Sequence, residues 1–408
     1  MEAIVDNFKI REYLDANFSR FSKEDLVSHF MLKFGVNVSN EEDLYLFKYN
    51  QISANWNEEI TYECRGLILR HTDAGWKYVS IPFYKFFNLS EGKCPWFNIE
   101  KFAIIKDKLV FAEKIDGSCI QVWYDDVKNI WRASTLGSIS TANVFDHPFT
   151  FSELFWKLYN KKGNDLSTFK VGYTYIFELW TMYNQVVSQY SEDSLVLLGV
   201  RNIETFSLDD FTVENAAREF SNIKAPQMYV VEHIKTQLDV ENWVEEMSLR
   251  EDLFGRIPEG FVGWIGGVPC FKQKNKKYNQ YHRIITGDKI YVLKNIISAV
   301  FCGNVDDIYG DLNKELQEFV DRLKLEISRV QNEVLVNLSA FKGLDLEDKK
   351  GFALKVQELT KSNKDLADVT PFFFQNRDKI LKNEVVDISE WLVEDDRYLK
   401  YLEKWKVV

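Results

Sequence analysis

The chain has 408 residues, 46% of them apolar and 15% aromatic, and a net charge of −11. That is enough for two or three domains with real cores, and no run of about 18 apolar residues is present that would cross a bilayer. The acidic balance excludes a chain-wide basic footprint for nucleic acid, so any polyanion site has to be a local patch. The densest such patch is Lys272-Gln273-Lys274-Asn275-Lys276-Lys277, continued by His282 and Arg283.

The first residues, Met1-Glu2-Ala3-Ile4-Val5-Asp6, show neither a basic n-region nor an apolar h-region, so the expectation is a cytoplasmic protein. The cysteines (Cys64, Cys94, Cys119, Cys270, Cys302) are odd in number and form no Cys-x-x-Cys pair, which fits a reducing compartment and argues against a zinc site. The histidines are equally scattered.

In chain order, short β-type runs separated by turn-formers dominate up to about residue 275. Examples are Gly66-Leu67-Ile68-Leu69, Tyr78-Val79-Ser80-Ile81, Leu109-Val110-Phe111-Ala112, Cys119-Ile120-Gln121-Val122-Trp123, Tyr173-Thr174-Tyr175-Ile176-Phe177 and Ser194-Leu195-Val196-Leu197-Leu198-Gly199-Val200. This pattern predicts an antiparallel α+β domain. Helical patterns interrupt it near 150–161 and 212–222. From about 285 the strand runs vanish and Pro371 is the one remaining proline. Helices are expected over 289–300 (closed by Gly303), 312–341 (ended by Gly343), 351–359 and 388–405. The predicted organisation is therefore 1–284 as the α+β domain and 285–408 as an all-α domain.

Chemistry concentrates in the first part. Lys114-Ile115-Asp116-Gly117 follows an apolar strand, and an Asp-Gly pair turns the backbone sharply. A lysine held there can act as a nucleophile once its amine is deprotonated. Alone, the tetrapeptide reads equally well as a hairpin turn with a solvated lysine. Around it, in order, stand Glu63-Cys64-Arg65-Gly66, Tyr84-Lys85-Phe86-Phe87-Asn88, Ile176-Phe177-Glu178-Leu179, Pro258-Glu259-Gly260-Phe261-Val262 and Cys270-Phe271-Lys272-Gln273-Lys274. The last alternates so that Lys272 and Lys274 share one strand face.

Each segment has a bland alternative: Glu178 as an outward residue, the lysine pair as a charged sheet edge, Arg65 as a surface ion-pair partner, Tyr49 and Val262 as core. Jointly, one nucleophilic lysine, two lysines on a face, an arginine and two carboxylates suit phosphoryl chemistry on a nucleotide. Lys272 and Lys274 can neutralise phosphate charge and, by like-charge repulsion, favour a neutral Lys114. Glu178 and Glu259 can hold a hydrated magnesium ion.

At these residues the sequence resembles the covalent nucleotidyltransferases, that is, the ATP-dependent ligases and capping enzymes. A narrower likeness is to the T-even phage RNA ligase 1 family. It rests on Glu63-Cys64-Arg65-Gly66, Lys85-Phe86-Phe87-Asn88-Leu89, Gly137-Ser138-Ile139, Leu197-Leu198-Gly199-Val200-Arg201 and Tyr278, and it covers roughly residues 45–285. The resemblance implies a nucleotidyltransferase domain of antiparallel sheets flanked by helices, with a helical C-terminal domain. It implies ATP and Mg²⁺ as cofactors, Mn²⁺ as an alternative metal, and the host cytoplasm as location if the gene is a phage's.

By the same resemblance Lys114 is the adenylated lysine. Arg65 and Lys85 contact phosphate or the polynucleotide end, and Glu178 acts through metal waters or the ribose. Glu259 is the second metal carboxylate, Lys272 and Lys274 grip the α-phosphate, and Tyr49 and Val262 sandwich the adenine. One departure stands out: Leu136, in Thr135-Leu136-Gly137-Ser138, occupies a position that is commonly basic in the family.

The function expected is ATP-dependent joining of RNA 5′-phosphate and 3′-OH ends, with nicked tRNA among the candidate substrates and no membrane partner. The rivals are a DNA ligase or capping enzyme, against which the helical tail argues, and a non-catalytic RNA-binding protein on a ligase scaffold.

Overall fold

The computed structural model describes residues 8–93, 109–140, 142–144, 147–183, 193–208, 213–247, 250, 259–275, 297, 300, 305, 309, 314–345, 347–382, 384 and 386–393. The chain divides into two compact units, Met1–Ser19, Ser39–Lys48 and Tyr62–Asp288 in one, and Arg20–Val38, Tyr49–Thr61 and Lys289–Val408 in the other. The sequence suggested one boundary, between 284 and 285. Two N-terminal segments depart from that division and join the C-terminal helices.

The physical reason is the amphipathic helix α2. After α1 (Ile10–Asn17), α2 (Lys23–Phe34) is capped by the Ser22 hydroxyl, which accepts from the Asp25 N–H, and it ends at Gly35. It packs against the long helix described below, where Gln331 Nε2 reaches Met31 Sδ at 3.8 Å and Lys342 pairs with Asp25 at 3.6 Å.

Three sheets lie wholly or largely in the first unit. The first runs in the order β1 (Val36–Glu41), β2 (Leu44–Tyr49), β3 (Arg65–Thr72), β4 (Gly75–Ser80), with the short helix α3 (Glu59–Glu63) between β2 and β3. The strands β5 (Phe87–Asn88), β6 (Leu109–Glu113), β7 (Ser118–Asp125), β8 (Ile130–Thr135), β9 (Tyr173–Trp180), β10 (Ser194–Asn202), β11 (Met228–Val231), β12 (Gly260–Ile265) and β13 (Val268–Lys274) make the other two. Their orders are β10-β9-β7-β8 and β11-β6-β12-β13-β5. The registered pairings are antiparallel except β13–β5, which is parallel. The α+β expectation is met.

Period-two alternation decides which way each face of the five-stranded sheet looks. Phe111, Phe261 and Phe271 point to one side and pack with Val240, Trp243, Val244 and Met247 of α6 (Gln237–Met247). Phe111 stacks on Trp243 at 4.3 Å. Gly263 is part of this packing, because a Cβ there would lie 2.3 Å from the Phe271 ring. The four-stranded sheet β10-β9-β7-β8 likewise buries Ile120, Tyr175, Phe177 and Leu195 against α4 (Phe151–Lys161) and the short α5 (Val213–Ala217). Thr150 and Glu153 form a capping box at the start of α4. Of the predicted 212–222 helix, α5 is the part that is helical among the described residues.

With both outer faces covered, the remaining faces of the two sheets meet. Phe83, Ala112, Ile176 and Trp264 form a small core between them, with Cys119, Leu198, Met228 and Val262 packed on it.

In the second unit, α7 (Lys314–Leu338) continues as a 3₁₀ turn to Phe341 before Gly343. It is followed by α8 (Lys349–Ser362), α9 (Lys364–Asp368), α10 (Thr370–Gln375), α11 (Arg377–Leu381) and α12 (Ile388–Val393). Val320, Leu323, Ile327, Val330 and Val334 form the buried stripe of α7, the helical spacing visible in the sequence. Of the predicted 289–300 helix only Ile297 and Val300 are described, both helical and buried. Gly303, Tyr278, the basic residues from Lys276 to Arg283 and the part of the last helix after 393 lie outside the described residues. No helix of the described residues is long and apolar enough to cross a membrane.

Candidate active site

The two facing sheets enclose a cavity of about 250 Å³, lined among others by Arg65, Phe86, Lys114, Glu178, Val262 and Trp264. Strand register explains its floor. Lys114 follows β6 and donates its N–H to Gly260 O at 2.9 Å, while Gly260 stands opposite Lys274. One rung inward, Met228, Ala112, Val262, Lys272 and Asn88 are aligned across five strands. Cross-strand partners share a face. The nucleophile candidate, Val262 and both lysines of the pair therefore stand on the cavity side, as the alternation in Phe271-Lys272-Gln273-Lys274 predicts.

Glu259 ties this edge together. Its carboxylate accepts from Lys114 Nζ at 2.6 Å and pairs with Lys274 Nζ at 3.4 Å. The sequence suggested that the lysine pair would act on Lys114 directly by repulsion. Instead a buried carboxylate lies between two of the ammonium groups. Gly260 is required by close approach, since a Cβ would fall 2.3 Å from Gln273 O. Asn275 N–H donates to Glu259 O at 2.9 Å and closes the β12–β13 pair at the site.

On the opposite wall, Glu178 of β9 is aligned with Cys119 of β7 and Val196 of β10. It is 8% exposed, and its carboxyl forms no hydrogen bond among the described residues. Burial pushes its pKa up to about 8, with Asp116 and Glu259 adding to the rise and Lys114 and Arg65 opposing it. Gly117 lets the Asp-Gly turn press on this wall, for a Cβ there would meet Leu179 O at 2.6 Å and Glu178 Cγ at 3.0 Å. The neighbouring Cys119 thiol is pushed up to about 12 by burial, which makes it inert.

Arg65 lies with its guanidinium 4.9 Å from the Phe86 ring centre, and its Nη1 is buried without a hydrogen-bond partner. The preceding Glu63 serves elsewhere, accepting from the N–H groups of Lys9 and Ile10 at 2.9 and 3.0 Å, at the start of α1. Lys85 is buried, with its ammonium 4.9 Å from the Phe87 ring, and it does not line the cavity. Tyr49, at the end of β2, belongs to the second unit and packs edge-on against Trp56 at 5.2 Å.

Sequence reasoning missed Trp264. It stands two residues beyond Val262 on the same face of β12, lines the cavity beside Phe83, and its Nε1 is buried with no partner. Extending the period-two argument past Val262 by one step would have found it.

A divalent cation can be tested against these groups. The Glu178 carboxyl, buried at the cavity wall without a hydrogen-bond partner among the described residues, fits a hydrated cation, whereas Glu259 is already engaged by two ammonium groups. The described residues contain no cluster of three metal-ligating side chains.

The comparisons with known proteins agree with this chemistry. A family model described as RNA ligase matches residues 63–281. An RNA ligase of Rhodothermus phage RM378 is 30% identical over 376 residues, covering 78% of this chain and 84% of that protein. A protein of Autographa californica nuclear polyhedrosis virus, described as a putative bifunctional polynucleotide kinase/RNA ligase, is 31% identical over 268 residues, 62% of this chain and 35% of that protein. An archaeal ATP-dependent RNA ligase structure covers 84% of this chain and 90% of its own at 13% identity and a TM-score of 0.40, a likeness too weak to add to the sequence relationship. The family match and the phage relative place the chain: it belongs to the RNA ligase family.

Proposed function

We propose that this RNA ligase uses ATP and joins RNA 5′-phosphate to 3′-OH ends through an adenylate on Lys114. The observation that carries the reading is the Lys114–Glu259–Lys274 arrangement, whose Lys114 lines a largely apolar cavity together with a buried carboxyl, Glu178. Lys114 Nζ attacks the α-phosphorus of ATP. A P–N bond forms, the bond to the pyrophosphate oxygen breaks, and pyrophosphate leaves. The amine loses its proton in this step, and the carboxylate already bonded to it, Glu259, is the nearest acceptor. An oxygen of the RNA 5′-phosphate then attacks the same phosphorus, the P–N bond breaks, and Lys114 departs as the amine by taking back the proton that Glu259 accepted. Finally the RNA 3′-OH attacks the activated 5′-phosphate, and AMP leaves.

Covalent catalysis divides one difficult displacement into easier ones. Lys274 and Lys272 supply fixed positive charge where the α-phosphate gains negative charge. Val262, Met228 and Trp264 offer the flat or apolar surfaces that a nucleobase needs. Mg²⁺ bound at Glu178 would neutralise phosphate charge. Arg65, which lines the cavity with a buried Nη1 that has no hydrogen-bond partner, is the group proposed to contact a phosphate. Tyr49 and Lys85, off the cavity lining, keep the roles given by resemblance as proposals.

The test is to incubate the protein with labelled ATP and, separately, labelled GTP. A label that survives denaturation with ATP, and that moves to 5′-phosphorylated RNA, supports the reading. Absence of any covalent label defeats it, and labelling by GTP alone would point to a capping-type enzyme.

A further inference from the structure

Two cations stand together in the first unit, and neither is held in a salt bridge by an acid among the described residues; Glu178 acts on Arg65 only through space. In the β2–β3 ladder Lys48 is directly opposite Arg65, next to a register shift between Phe47 and Lys48. Directly paired residues share a face, and like charges so placed repel. Neither side chain forms a salt bridge or a hydrogen bond among the described residues, and Arg65 Nη1 is buried without a partner. This is unexpected in a chain with 62 acidic and 51 basic residues.

A turn completes the arrangement. The Thr135 hydroxyl accepts from the N–H groups of Gly137 and Ser138 at 3.2 and 3.0 Å. The turn is pressed on β3: a Cβ on Gly66 would lie 2.7 Å from Leu136 Cα, and Gln121 Nε2 donates to Gly66 O at 2.6 Å. Lys48 Nζ lies 3.2 Å from where a Cβ on Gly137 would be, so this glycine leaves the space that the ammonium occupies. Arg65 links the pair to the Lys114 cavity, which it lines.

We propose that Lys48 and Arg65 together form a phosphate seat beside the Thr135–Ser138 turn, with Lys48 supplying the positive charge that Leu136 does not. An oxyanion between the two resolves both anomalies: it offsets the repulsion, and it gives the guanidinium an acceptor. The proposal rests on the ligase reading and deepens it by adding a second phosphate contact beyond the α-phosphate. Two sources carry that chemistry, the pyrophosphate portion of ATP and the 5′-phosphate of RNA.

The test begins with binding, which needs no catalysis. Wild type, Lys48→Gln and Lys48→Arg, all as the full chain, are titrated with inorganic pyrophosphate and with matched RNA oligomers ending in 5′-phosphate or 5′-hydroxyl. Lys48→Gln should weaken pyrophosphate, or the preference for the 5′-phosphate, by about tenfold, and Lys48→Arg should restore most of it. Which probe responds identifies the source. Removing one of two repelling cations should leave the melting temperature of Lys48→Gln at or above that of wild type.

Unchanged binding of both probes overturns the proposal, as does wild type that binds neither. A lower melting temperature with a uniform loss for all probes makes Lys48 a structural residue and overturns it too. Failure of the ligase reading would show separately, as wild type that forms no covalent adenylate.

Discussion

Replacing Glu178 by glutamine should make the protein more resistant to alkaline pH. In the folded chain the carboxyl is held to a pKa of about 8, chiefly by burial, whereas an exposed glutamate titrates near 4.5. A raised value means that the folded state keeps a proton the unfolded state has lost. The stability from this group is complete below about pH 4.5 and is lost as pH climbs through 8. The whole loss is on the order of 4–5 kcal/mol, taking about 1.36 kcal/mol for each pH unit between those values. The amide keeps the shape of the carboxyl and cannot ionise. Wild type and Glu178→Gln should therefore unfold nearly alike near pH 5, diverge steadily up to about pH 8 and keep a constant difference above it, with the variant the more stable. The assay is denaturant unfolding of both proteins across that range, since the difference between them cancels every other titrating group. Mg²⁺ favours the ionised carboxylate, so it should narrow the gap by stabilising wild type alone. Parallel stability curves from pH 5 to 9, with no differential effect of Mg²⁺, would refute the reasoning.

Other expectations follow from the same geometry. Gly260→Ala should cost roughly 1–3 kcal/mol, towards the upper end because the atom a Cβ would strike is backbone; thermal melting checks it, and adenylation should fall with it. Glu259→Ala leaves two neighbouring ammonium groups without their carboxylate, so it should destabilise by about 3–5 kcal/mol and slow covalent labelling; normal labelling kinetics would remove Glu259 from the chemistry. Trp264→Phe keeps an aromatic ring and removes the unpartnered N–H, so discrimination between ATP and GTP should weaken by at least several-fold, read from adenylation rates. A fragment ending at 285 should unfold below full length, because the cut divides the second unit rather than releasing it whole; equal melting would show that 20–38 and 49–61 do not depend on the later helices.

Much of the site was legible because strands are periodic and short motifs fall at their ends. Lys272 and Lys274 share a face as their spacing predicts, and Glu178 is buried despite the commoner outward reading of a lone strand glutamate. What the sequence hid is tertiary. Nothing in Glu259 alone announces that it bridges Lys114 and Lys274, since that depends on the β6–β12–β13 register. Lys48 gives no local signal either, for its importance arises from standing across from Arg65 and against Gly137. The division into units was half visible: the loss of strands after 285 marks the later helices, but the attachment of α2 rests on side-chain packing between segments 300 residues apart, as Met31 and Gln331 are.

The most direct measurement is the mass and position of the adenylate. Full-length protein incubated with ATP and Mg²⁺, then digested and mapped by mass spectrometry, should carry one AMP on Lys114, and Lys114→Ala should carry none. An adenylate on Lys272, Lys274 or any other residue, or equal labelling of Lys114→Ala, would contradict the account.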